Sequence, residues 1–163
     1  MLAQEYLRLI YWKSKKRRKG RLLLEVGSLA SFVLDSYALI GYLEGEPFSD
    51  EIRNLLELAR NGERRIYLHA IHLGEVYYIT YREQGRHSAD LVYSRIKAFP
   101  VTFISEIDEP LLLEAATLKG RFSISHAEAF AAALAVLKKS RLLTGDREFR
   151  ALEKAGLLQV KWL

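Results

Sequence analysis

Hydrophobic positions along the chain fall into short continuous runs separated by longer stretches with helical spacing. Ser31–Leu34 is a buried-strand run, and helical spacing follows from Ser36 to about Glu44, where Gly45, Glu46 and Pro47 interrupt it. Ile52, Leu55, Leu56 and Ala59 share one face of a helix predicted over 49–60, which Asn61 and Gly62 stop. Ile66–Leu68 predicts a second strand, followed by helices over 70–83, ending at Gly85, and over 88–98. Pro100 precedes a strand over 101–104; Asp108, Glu109 and Pro110 open a helix that Gly120 is expected to close. An Ala-rich helix over 125–139, a strand over 141–144 and a short helix over 147–155 come next. Leu158, Val160 and Trp162 alternate with Gln159 and Lys161, the pattern of a half-exposed edge strand.

Strands separated by helices of this length imply right-handed crossovers and a sheet covered on both faces. The predicted fold class is α/β: a three-layer α/β/α sandwich with a mostly parallel central sheet. Ligands of such sheets bind at the carboxyl ends of the strands.

Composition sharpens this picture in two ways. The 163 residues include no cysteine, which excludes a disulfide scaffold, a zinc-thiolate site and a cysteine nucleophile. No run of about 18 uncharged apolar residues is present, so a membrane span is not expected. The formal charge of +5 is unevenly distributed: residues 1–27 hold eight Lys and Arg against two acids, and residues 28–163 hold seventeen against eighteen. The basic run from Lys13 to Lys19 has three readings: an RNA- or phosphate-binding arm, a flexible extension, or translated sequence upstream of the true start. A basic extension over 1–27 and one domain over 28–163 are therefore expected. Nucleic-acid binding must be argued from a site in the near-neutral body, not from bulk charge.

Four acids are candidates for such a site. Asp35 follows the first strand and Asp146 follows the strand over 141–144, both at strand-to-helix turns where Asp is also a preferred N-cap. Glu75 has Ile71 and Ile79 one turn away on its helix, so its face is apolar and the carboxylate needs a partner, a proton or a metal. Ser125 and Glu128 have the spacing of a capping box, which competes with metal ligation for the same oxygens. The histidines at 69, 72, 87 and 126 show no paired metal-ligand spacing, and the tyrosines at 37, 42, 77, 78 and 81 read as core.

Four segments together resemble the PIN-domain family, most of all the VapC-type toxin ribonucleases of VapBC toxin–antitoxin systems. They are Val33-Leu-Asp-Ser-Tyr-Ala-Leu-Ile40, Leu73-Gly-Glu-Val76, Ser125-His-Ala-Glu-Ala-Phe130 and Leu143-Thr-Gly-Asp-Arg-Glu-Phe149, in that order. The resemblance implies that Asp35, Glu75, Glu128 and Asp146 form an acidic metal cluster with Thr144 beside it, and that Ser36 and Glu148 are accessory. It departs from the family at Glu128, where Asp is usual, and has no counterpart for residues 1–27.

It further implies a metal-dependent endoribonuclease, a homodimer and a cognate antitoxin, in the cytoplasm. Mg²⁺ or Mn²⁺ suits a set of carboxylates, because hard cations prefer oxygen ligands. Arg147, Lys119 and Arg121 are candidates for RNA phosphate contacts. Two alternatives remain: a PIN-type RNA-processing protein that is not a toxin, and a catalytically silent RNA- or metal-binding module. A receiver domain is disfavoured because Asp35 stands alone at its strand, and an Asp-x-Asp phosphatase fails at Tyr37.

Overall fold

A computed structural model of the chain describes residues 30–163. The expected 1–27 extension, with its basic run, lies outside the described residues. The order of elements is β1 (Ser31–Leu34), α1 (Ser36–Glu44), α2 (Ser49–Arg60), β2 (Arg65–His69), α3 (Ala70–Lys97), β3 (Thr102–Ile104), α4 (Glu109–Arg121), α5 (His126–Leu137), β4 (Arg141–Thr144), a 3-10 turn (Arg147–Phe149), α6 (Arg150–Lys154) and β5 (Val160–Trp162). The strands form one sheet in the order β3-β2-β1-β4-β5, and every ladder is parallel.

The continuous apolar strands are explained by burial on both faces. Alternate residues of β1 divide between two cores: Val33 packs with α4, α5 and α6, while Phe32 and Leu34 pack with α1, α2 and α3. Leu142 and Leu143 of β4 split the same way. In α5, Ala129, Ala131, Ala132, Ala133 and Ala135 are all buried, and their small side chains let the helix lie close against the sheet and α4. Three layers result, as the alternation of strands and helices predicts.

Two helix ends bear on the sequence reading. Gly85 has φ 83° and ψ 173°, so α3 is two helical segments meeting at a break, as the spacing on either side predicts. Gly120, by contrast, does not close α4. The helix continues to Arg121 and ends where Phe122 turns to extended backbone and packs its ring on the core. Tertiary burial of Phe122 and Ile124 sets this end, not a glycine signal.

The centre of the sheet positions the site. After β1 the chain turns to the α1 side, and after β4 it turns to the α6 side, so the adjacent carboxyl ends of β1 and β4 open a crevice. Asp35 and Asp146 stand at those two ends. Phe149 is fully buried and anchors the turn that carries Asp146 and Glu148.

Candidate active site

Asp35 caps α1: its Oδ1 accepts the Ala38 N–H at 2.9 Å, and only 4% of the residue is exposed. Burial pushes its pKa up to about 6, against the pull of the Thr144 hydroxyl, the Ala38 N–H and His72; the charge of Asp146 adds to the rise. Thr144 is fully buried at the end of β4, and its hydroxyl accepts the Asp146 N–H at 2.9 Å. Asp146 in turn accepts the Glu148 N–H at Oδ1, 2.9 Å away.

Glu75 reaches the same place from the second turn of α3. Its Oε2 accepts a 2.7 Å hydrogen bond from Ser36 and lies 3.9 Å from Nδ1 of His72. The His72 imidazole, then the Ser36 hydroxyl, hold this carboxyl below its ordinary pKa. Glu128 arrives on α5 with the capping box formed: it accepts the Ser125 N–H at 2.5 Å, and its own N–H donates to Oγ of Ser125 at 3.1 Å. Burial first, then the Glu148 carboxyl and the charge of Asp146, push Glu128 up to about 7.

Asp35, Ser36, Glu75, Glu128 and Asp146, from four separate segments, line one cleft of about 190 Å³. Thr144 lies behind Asp35, and Glu148 stands at the surface beside Glu128. The three candidate cations do not line the cleft. Arg147 is exposed next to Asp146; Nζ of Lys119 donates to the Ile124 carbonyl at 2.5 Å, bracing the turn before α5; the Arg121 guanidinium lies over the Phe122 ring.

Two lining residues escaped the sequence reading. His72 is 1% exposed, faces Asp35 and Glu75, and has no hydrogen-bond partner on either ring nitrogen. It lies three residues before Glu75 on the same helical face, a spacing that a search for i, i+4 pairs passes over. Tyr37 is 45% exposed at the cleft, and Tyr78 and Tyr81 are similarly open; Tyr42 and Tyr77 are half-buried, so this set is not core as the sequence suggested.

Among the described residues, no three Asp, Glu or His side chains are gathered in coordinating geometry. Their donor chemistry nevertheless fits a hard divalent cation. Hydrogen bonds engage Oδ1 of Asp35 and Asp146 and Oε2 of Glu75 and Glu128, so each carboxylate keeps a second oxygen with lone pairs to offer. Acid clustered in a cleft, with Asp35 and Glu128 both raised, lacks the positive charge that a cation would bring.

This crevice, acidic and set at the switch point of a five-stranded parallel sheet, accords with what comparison shows. The chain belongs to the PIN-domain family, whose model matches residues 32–155. Among solved structures its fold is similar to VapBC2 of Rickettsia felis bound to a promoter DNA fragment, with 15% identity over 80% of this chain and 97% of that one, and a TM-score of 0.64. VapBC-1 of nontypeable Haemophilus influenzae gives 18% identity over 81% and 97%, TM-score 0.62. VapC20 of Mycobacterium tuberculosis, a toxin that cleaves the sarcin-ricin loop, gives 18% identity over 80% and 98%, TM-score 0.58. No curated protein sequence matches the chain.

Proposed function

We propose that this protein is a divalent-metal-dependent endoribonuclease and the toxin of a toxin–antitoxin pair. The observation that carries the reading is the convergence of Asp35, Glu75, Glu128 and Asp146 on one cleft at the carboxyl ends of β1 and β4. Membership of the PIN-domain family and the VapC-like fold support a nuclease. A cognate antitoxin, a homodimer and a cytoplasmic location belong to the same proposal, and among the described residues no helix is long and apolar enough to cross a membrane.

The four acids would hold Mg²⁺ or Mn²⁺, which supplies charge relief at the phosphodiester, a more acidic water and stabilisation of the leaving alkoxide. The chain's own contribution is placement. Ser36 and His72 orient Glu75 toward the cleft, and Thr144 links Asp35 to the Asp146 backbone. Ser125 holds Glu128 at the start of α5, where Glu148 and burial keep a proton on its carboxyl near neutral pH until a cation or substrate displaces it.

The test is cleavage of a labelled single-stranded RNA by purified protein with Mn²⁺, repeated with Asp35→Asn and Asp146→Asn. Metal-dependent cleavage that falls at least about a hundredfold in either variant is expected, since a ligand to the ion is lost. Protein that retains the RNA but never shortens it would be a silent binding module. Cleavage without growth arrest on expression would indicate RNA processing rather than toxicity.

A further inference from the structure

The acidic cleft poses a binding problem for a polyanion. Residues 28–163 carry one more acid than base, and none of the candidate cations lines the cleft, so attraction of the RNA backbone to positive charge cannot supply the affinity there. A different attraction is available at its edge.

Tyr37 is the second residue of α1, two positions after Asp35, and lines the cleft with nearly half of its surface exposed. Its ring is held from two sides. It stacks on Phe48 with centroids 5.9 Å apart and planes inclined by 24°. It also sits over Gly145, between Thr144 and Asp146, where a Cβ would stand 2.7 Å from Cζ of the ring, so only glycine admits the tyrosine at this distance. These contacts fix an aromatic surface beside the acids before anything binds. Ordering such a ring on binding then costs little entropy.

We propose that Tyr37 is a stacking platform for the base of an unpaired nucleotide next to the scissile phosphate, and that the substrate class is therefore single-stranded or loop RNA rather than duplex. The proposal rests on the nuclease reading for its location. A base laid on Tyr37 must leave its neighbours' stack and its pairing partner, which is available in loops and single strands but costly in an A-form helix. Stacking on an aromatic side chain tolerates any base and is independent of charge.

The experiment has a binding arm and a cleavage arm. In the first, a single-stranded RNA carrying 2-aminopurine is titrated with full-length Asp146→Asn protein. Binding is expected to change the probe's fluorescence, and adding Tyr37→Leu to remove most of that change and weaken affinity about tenfold, while Tyr37→Phe retains both. In the second, wild-type protein is expected to cleave the single strand at least about tenfold faster than the same sequence in a duplex, with Tyr37→Leu raising KM more than it lowers kcat. The Tyr37→Phe variant keeps the ring over Gly145, so it separates stacking from disturbance of Asp146.

Equal binding and fluorescence with Tyr37→Leu, absence of any RNA binding, or equal cleavage of duplex would overturn the proposal. Tyr37-dependent stacking in a protein that never cleaves would keep the platform and overturn the nuclease reading. Cleavage indifferent to Tyr37 would do the reverse.

Discussion

The Ser36 hydroxyl donates a 2.7 Å hydrogen bond to Oε2 of Glu75, joining the first turn of α1 to the second turn of α3 across 39 positions of sequence. Because Asp35 caps the same end of α1, the capping of one helix also aims a carboxylate carried by another. Replacement Ser36→Ala frees Glu75 from its only hydroxyl partner at hydrogen-bond length. Isothermal titration should then show about tenfold weaker Mn²⁺ binding, the usual effect of losing a group that orients a ligand. Unchanged affinity would show that His72 alone positions Glu75.

Asp35→Asn and Asp146→Asn have opposite signs with and without metal. In EDTA, Asp35→Asn removes a buried carboxylate whose ionisation the fold resists, so the melting temperature should rise or hold. With saturating Mn²⁺ the wild type should gain several degrees by ligand linkage, and the double variant should gain none. Thermal denaturation in both conditions checks this, and a wild type indifferent to metal would count against the cluster.

The pH dependence follows from the same carboxyl. Asp35 titrates near 6 in the fold against 3.8 ordinarily, so its favourable contribution is complete below about pH 4 and disappears as pH rises through 6. About 3 kcal/mol is at stake from this group. Glu128, pushed up to about 7, acts in the same direction, whereas Glu75, held low, loses its contribution only under acid conditions. Metal-free protein should therefore resist urea better at pH 5 than at pH 8. Asp35→Asn should flatten the difference, and Mn²⁺, which favours ionised carboxylates, should reverse it.

Glu128 tests capping against ligation. In Glu128→Gln the amide oxygen can still accept the Ser125 N–H, so stability should change by less than about 1 kcal/mol, while the loss of negative charge should lower metal affinity and cleavage. Ser125→Ala should cost about 1 kcal/mol through the lost cap and leave a weaker effect on cleavage. Urea unfolding beside a cleavage assay separates the two roles. If both variants lose stability alone, Glu128 is a capping residue and nothing more.

Much of the fold was legible because burial on both faces writes itself into composition. Ser31–Leu34 and 141–144 read as strands from unbroken apolar runs, and Gly85 marked the break in α3 through its positive φ. Gly120 misled because a glycine inside a helix and one beyond its end look alike in sequence, and the burial of Phe122 decided between them.

By itself the sequence determined the parallel α/β architecture and which acids follow the central strands, since hydrophobic periodicity and local turn chemistry depend on near neighbours. Only the tertiary structure decided that Glu75 meets Ser36, that Glu148 stands beside Glu128, that His72 is buried beneath the cleft, and that Tyr37 lies over Gly145. Such contacts join residues tens of positions apart, and their geometry depends on helix rotation and strand stagger that no local pattern encodes.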